Sequence, residues 1–148
     1  MSHPGLLFLC VANSARSQMG EALARARYGD TVTVQSAGSE PSRVHPLALA
    51  ACAKRQLDTT GLSSKSVETI DPSTVSVVVT LCAEEYCPAY LHRATRLHWP
   101  MPDPADALPG EDEAAQLNRF LEVADQIAVR LAELDAILRP PPQSDLKR

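Results

Sequence analysis

Cys10, Arg16 and Ser17 are the residues whose types and spacing promise chemistry. A thiol, five residues, then a guanidinium and a hydroxyl suit attack on a tetrahedral oxyanion. The thiolate is the nucleophile, the arginine forks onto two oxygens, and the serine can donate a hydrogen bond to sulfur. A free thiol of pKa about 8.5 is only a few per cent ionised near neutrality, and each unit of lowering is about 1.4 kcal/mol. A helix N-terminus and Arg16 together supply such lowering. A cysteine ending a buried strand is otherwise a small hydrophobe; the conjunction with Arg16, Ser17 and a following helix favours the nucleophile.

Those groups need elements to hold them. Leu6 to Leu9 is an apolar run short enough to be a buried strand, and it stops at Cys10. From Ser17 onward Met19, Ala22, Leu23 and Ala26 recur at spacings of three and four, which predicts an amphipathic helix closing near Gly29. A strand, a tight loop and a helix aim the first helical amides into the loop and bind anions there. Val11, Ala12, Asn13, Ser14, Ala15, Arg16 and Ser17 are the expected oxyanion cradle.

Further along, Thr31 to Ser36 alternates as a second strand, and Pro46 to Leu57 reads as a helix with His45 near its start and Cys52 packed inside. Val75 to Leu81 is nearly continuous in β-branched residues, as in a central strand covered on both faces. It ends at Cys82 as the first strand ends at Cys10, so parallel strands place both cysteines on one carboxyl edge, where open α/β folds keep their ligands. Thr95 to His98 is a short fourth strand, and Glu111 to Leu138 carries a long helical pattern. The alternation predicts an α/β fold of three layers, a four-stranded parallel sheet with right-handed crossovers and helices on both faces. One domain spans residues 1–138, followed by a mobile proline-rich tail, 139–148.

A net charge of -4 over 148 residues disfavours nucleic acid or an anionic membrane as the main partner, so any anion site must be local. No run reaches the 18 or so apolar residues of a membrane span, and the first five residues lack the basic start of a signal peptide. These features predict a cytoplasmic protein whose four cysteines rest reduced.

Cys82 and Cys87 bracket Ala83, Glu84, Glu85 and Tyr86, a link polar enough to be exposed and mobile. The pair reads as two buried thiols, as zinc ligands with His92 and His98, or as thiols acting in series. Zinc is disfavoured because four residues separate Cys87 from His92, far below the dozen or so between the halves of a finger. Asp103 before Pro104 is either a simple turn or a general acid on a loop that closes over an oxyanion, with Asp106 as its nearby substitute.

CVANSARS resembles the cysteine-x5-arginine-serine loop of the low-molecular-weight tyrosine phosphatase fold, and NSARSQMGEAL resembles the thioredoxin-coupled arsenate reductases built on it. In that branch glutamine follows the Arg-Ser pair where phosphatases usually carry proline; here it is Gln18. The resemblance runs from Leu6 to Leu138. It implies arsenate as substrate, Asp103 as general acid, a disulfide relay through Cys10, Cys82 and Cys87, and thioredoxin as reductant, with no cofactor and a monomer. VVVTLCAEEYCP is similar to the family's relay segment, with a shorter link between its cysteines. Asn13, Glu21 and Ser36 match positions that bind potassium in some members, but the further aspartate of those members is Lys65 here, whose ammonium can replace the cation; no bound metal is expected. Asn13, Ser17 and Ser36 are then expected to brace the loop by hydrogen bonds. The rival functions are a tyrosine phosphatase, which needs only Cys10, Arg16 and Asp103, and a non-enzymatic redox or oxyanion sensor. The stretch from Asp103 to Phe120 has no tyrosine or tryptophan to grip a phenyl ring, which disfavours the phosphatase.

Overall fold

The computed structural model describes residues 3–83, 87–106 and 108–138, with the side chain of Tyr90 also outside the description. The expected tail and the link at residues 84–86 therefore lie outside the described residues. Four parallel strands form one sheet: β1 (Gly5–Cys10), β2 (Thr33–Gly38), β3 (Val77–Thr80) and β4 (Thr95–His98), in the order β2-β1-β3-β4. The helices are α1 (Arg16–Tyr28), α2 (Pro46–Lys54), α3 (Glu113–Arg130) and α4 (Ala132–Leu138).

Every residue of β1 is buried, and its side chains divide by parity as a strand covered on both faces must. Leu6 and Phe8 join the larger core with Met19, Phe120, Ile127 and Leu134 of the helices. Leu7 and Leu9 face a smaller core closed by Val67, Ile70 and Leu91. The four α-helices contribute to the first core, whereas short 3₁₀ turns, Val67–Thr69 and Ala89–Leu91, cover the second. The helical layer on that face is thus thinner than the sequence pattern suggests.

Element ends differ from the expected ones where pairing and caps decide them. The second strand begins two residues later and ends two residues later, because Gly29–Thr31 forms a 3₁₀ turn and β2 pairs in register from Gly5↔Thr33 to Cys10↔Gly38. β3 is shorter than its β-branched run, although the Leu81 amide still bonds the Leu9 carbonyl. α2 stops at Lys54, closed by Arg55 and by Gln56 at a φ of 58°. The long C-terminal pattern is capped by Asp112, whose side chain accepts from the Ala115 amide, and divides at Leu131. There the Tyr28 hydroxyl lies between the Leu131 carbonyl at 3.1 Å and Asp135 Oδ1 at 2.8 Å, and the Leu134 amide closes a tighter turn on the Leu131 carbonyl.

Truncating the buried Ile127 to Ala should destabilise the chain by about 2–5 kcal/mol through a core cavity, whereas Asp112→Ala should cost about 0.5–2 kcal/mol through the lost helix cap. Urea denaturation of both variants measures the two against wild type.

Candidate active site

Cys10 is the last residue of β1 and Arg16 the first of α1, so residues 11–15 must turn the chain within one short loop. A loop whose amides converge on one point must dispose of its carbonyls elsewhere. Here residues 40–45 run alongside it: the amides of Glu40, Ser42 and His45 donate to the carbonyls of Val11, Ala12 and Ser14 at 2.8, 3.1 and 3.0 Å. The Gln18 side-chain amide takes the Asn13 carbonyl at 2.8 Å, and the Met19 amide takes that of Ala15 at 2.9 Å. Asn13 adopts a φ of 47°, the left-handed value that asparagine tolerates better than most residues. Gly38 makes the close approach possible, since a Cβ there would stand 2.4 Å from the Val11 carbonyl oxygen.

Ala15 caps α1 without any side-chain hydrogen bond, and of the first-turn amides that of Ser17 serves Cys10 while that of Met19 bonds the Ala15 carbonyl. Beside this turn lies a cleft of about 100 Å³ lined by Cys10, Ala12, Ser14, Ala15, Arg16, Asp103 and Ala105. The walls are polar or small, and none is aromatic.

The orientation of Ser17 follows from Asn13. The Lys65 backbone amide can only donate, and it donates to Asn13 Oδ1 at 2.8 Å. Asn13 Nδ2 therefore faces, and donates to, the hydroxyls of Ser17 and Ser36 at 2.8 and 3.0 Å. A thiolate can only accept, so toward ionised Cys10 Ser17 turns its own proton onto Sγ, 2.9 Å away. Ser36 likewise donates to Glu21 Oε1 at 2.6 Å. Glu21 is buried, and it is compensated by an ion pair with Arg25 and by Lys65 Nζ 3.8 Å from Oε1. Lys65 thus brings a positive charge to Glu21, which Ser36 and Asn13 already bond in series, so this residue set does not fit a potassium ion.

β3 delivers Cys82 to the same edge. Its Sγ accepts from the Val11 amide at 3.1 Å, and its thiol hydrogen-bonds to Cys10. Cys10 is held well below the ordinary thiol range: the Cys82 thiol contributes most, burial opposes it, and the Ser17 hydroxyl and amide and the Arg16 charge assist. The same contact, followed by burial, raises Cys82. The two thiols therefore share one anion, carried on Cys10.

The continuation of β4 brings the last groups. Trp99 and Met101 amides bond the Thr80 and Leu81 carbonyls, and the Met101 carbonyl then accepts from Arg16 Nη1 at 3.0 Å. Asp103 follows, its Oδ2 3.8 Å from Arg16 Nη2 and its Oδ1 accepting from the Ala105 amide at 2.9 Å. Two groups that sequence reasoning left unassigned hold this loop. Arg119 of α3 bonds both oxygens of Glu111 and donates to the Asp106 carbonyl at 2.5 Å, while Gln116 reaches the Ala105 carbonyl. Their spacing from Asp103 has no periodicity that could reveal them. His45 accepts the Leu47 amide on Nδ1 as the cap of α2 and packs its ring on Phe120; burial, then Arg43, lower its pKa while Asp103 opposes.

Cys10, Arg16, Ser17, Cys82 and Asp103 are thus brought together, and Asn13 and Ser36 stand behind them. Cys87 is not among them: it packs, half-buried, against the smaller core. His92 bonds the Cys87 carbonyl and His98 bonds Thr80, so neither histidine turns toward Cys82. Asp106 contributes its carbonyl to Arg119 rather than a carboxyl to the cleft lining. Among the described residues no cluster of three metal-ligating side chains is present, and no helix is long and apolar enough to cross a membrane.

Residues 5–141 match the family model described as low molecular weight phosphotyrosine protein phosphatase. An arsenate reductase of Bacillus subtilis (strain 168) is 36% identical over 135 residues, 90% of this chain and 96% of its own. A solved arsenate reductase in the phosphate binding state superposes with a TM-score of 0.77 at 29% identity, covering 91% of this chain and 98% of the other. The thioredoxin-dependent arsenate reductase of Corynebacterium glutamicum aligns with a TM-score of 0.70 at 29% identity, over 93% of this chain and 63% of that one.

Two variants test the construction of the site. Cys82→Ala removes the main hydrogen bond to the thiolate, so the ultraviolet thiolate absorbance of Cys10 should titrate at higher pH than in wild type, whose thiolate persists below the ordinary thiol range. Gly38→Ala should displace the loop and slow alkylation of Cys10 at neutral pH while the chain stays folded by circular dichroism; an unchanged alkylation rate would show that the loop does not need this close approach.

Proposed function

The chain belongs to the low molecular weight phosphotyrosine protein phosphatase family, and on that premise we propose that it reduces arsenate to arsenite by a three-cysteine relay. The observation that carries this reading is the second thiol in the site: Cys82 Sγ accepts the amide of Val11, the residue after Cys10, at 3.1 Å, and hydrolysis of a phosphate ester does not need such a group. The relatives named arsenate reductase support it.

In this reading the loop amides of residues 12–17 and the Arg16 guanidinium hold the oxyanion, and the Cys10 thiolate attacks arsenic. Asp103, in its protonated form, gives its proton to the departing oxygen, which leaves as water. Cys82, as thiolate, then attacks Cys10 sulfur; the electron pair of the arsenic–sulfur bond stays on arsenic, arsenite departs, and a Cys10–Cys82 disulfide remains. Cys87 attacks Cys82 and frees Cys10. Thioredoxin reduces the resulting Cys82–Cys87 disulfide from outside. The second exchange requires Cys87 to leave its packing on the smaller core. Asn13, Ser17 and Ser36 keep the nucleophile ionised, and Lys65 supplies the charge that makes a potassium ion unnecessary. A cytoplasmic, monomeric enzyme whose catalytic unit spans residues 1–138, needing no cofactor and no nucleic acid or membrane, completes the reading.

Weak phosphatase activity accompanies this chemistry, because Cys10, Arg16 and Asp103 suffice for it. The absence of an aromatic wall in the cleft lining leaves an aryl group without a grip.

Arsenate-dependent NADPH oxidation coupled through thioredoxin and thioredoxin reductase should be sustained in wild type and collapse in Cys87→Ser. Asp103→Asn should lower kcat by about 10²–10⁴, the usual contribution of a positioned general acid. Aryl phosphate turnover far exceeding arsenate turnover would sink the reductase reading.

A further inference from the structure

The reduced site holds its resolving thiol in place before any oxyanion arrives. Cys82 accepts on sulfur, at 3.1 Å, the amide of Val11, the residue that follows Cys10. Cys10 itself lines the cleft with Arg16, and Ser17 Oγ stands 2.9 Å from its sulfur. An ionised thiol that lines a cleft, beside a second thiol and a guanidinium, is the arrangement in which two-electron oxidation of cysteine becomes rapid and reversible. Nothing in the pair requires arsenic.

We infer that this site is also a thiol peroxidase, with hydrogen peroxide or a small hydroperoxide as a second substrate reduced at Cys10 and Cys82. A neutral peroxide needs neither the full oxyanion cradle nor its charge, and a cleft of about 100 Å³ admits it. The Cys10 thiolate attacks one peroxide oxygen and the O–O bond breaks, leaving Cys10 as a sulfenic acid and releasing hydroxide. The Cys82 thiol, already aimed at Cys10, gives its proton to that hydroxide and becomes a thiolate. It attacks the sulfenic sulfur, forms the Cys10–Cys82 disulfide and expels a second hydroxide, which takes a proton from solvent. One thiolate, one thiol, one peroxide and one proton become one disulfide and two waters. A dithiol reductant of the thioredoxin class returns the disulfide to thiols. Because Cys82 is held on the Val11 amide beside Cys10 from the start, it captures the sulfenic acid before further oxidation to the irreversible sulfinic state.

The inference rests on the thiol pair rather than on the arsenate reading, and one preparation separates them. Fully reduced Cys87→Ser protein in phosphate-free buffer, given one equivalent of hydrogen peroxide and quenched with alkylating agent, should carry two fewer alkyl groups in intact mass than the untreated control and show a Cys10–Cys82 crosslinked peptide. Wild type with thioredoxin, its reductase and NADPH should consume peroxide continuously without arsenate. Cys82→Ser should lose that turnover and accumulate Cys10 sulfenic acid, trapped by a dicarbonyl probe. Peroxide turnover without arsenate turnover supports the peroxidase and removes the arsenate reading alone. Arsenate turnover with no peroxide turnover overturns the peroxidase, as does a wild-type Cys10 that passes to sulfinic acid with no Cys10–Cys82 crosslink.

Discussion

A run of backbone amides can converge on one anion only if the carbonyls between them are satisfied elsewhere, and this constraint governs the rest of the structure. Residues 40–45 meet it from one side, Gln18 and the first turn of α1 from the other. The register of β2 with β1 follows from the same need, because it brings Gly38 opposite Cys10 and starts residues 40–45 beside the loop. Gly38 is small because the loop passes where a side chain would be. The sheet, the glycine and the flanking segment thus serve one nest of donors.

Charge in the site is arranged locally, against a chain that is negative as a whole. Arg16 is the cation at the cleft, pinned between the Met101 carbonyl and Asp103. Behind the loop Glu21 balances Arg25 and Lys65, and its influence reaches the thiol through Ser36, Asn13 and Ser17. That chain has a direction, set by one backbone amide that can only donate, at Lys65. The consequence is a hydroxyl proton pointed at Cys10 and a nucleophile stabilised as its anion.

The two thiols differ because their surroundings do. Cys10 collects donors, from Ser17 and from Cys82 itself; Cys82, half-buried beside an anion, keeps its proton. One contact therefore defines the nucleophile and leaves its partner protonated, poised to act once the first sulfur has reacted. Cys87, on the other face, waits outside this arrangement.

The nucleophile loop, the alternation of strands and helices and the carboxyl-edge placement of Cys10 and Cys82 were legible from sequence, because burial period and loop chemistry are local properties. The sequence by itself also singled out Arg16, Ser17 and Asp103, since their residue types carry chemistry wherever they stand. Where elements end was decided by pairing and capping: the Tyr28 hydroxyl on the Leu131 carbonyl divides one helical pattern in two. Only the tertiary structure joined residues 40–45 to the loop carbonyls, set Arg119 on the Asp103 loop and separated Cys87 from the site. Those contacts join residues far apart in the chain through backbone geometry, and neither period nor spacing encodes them.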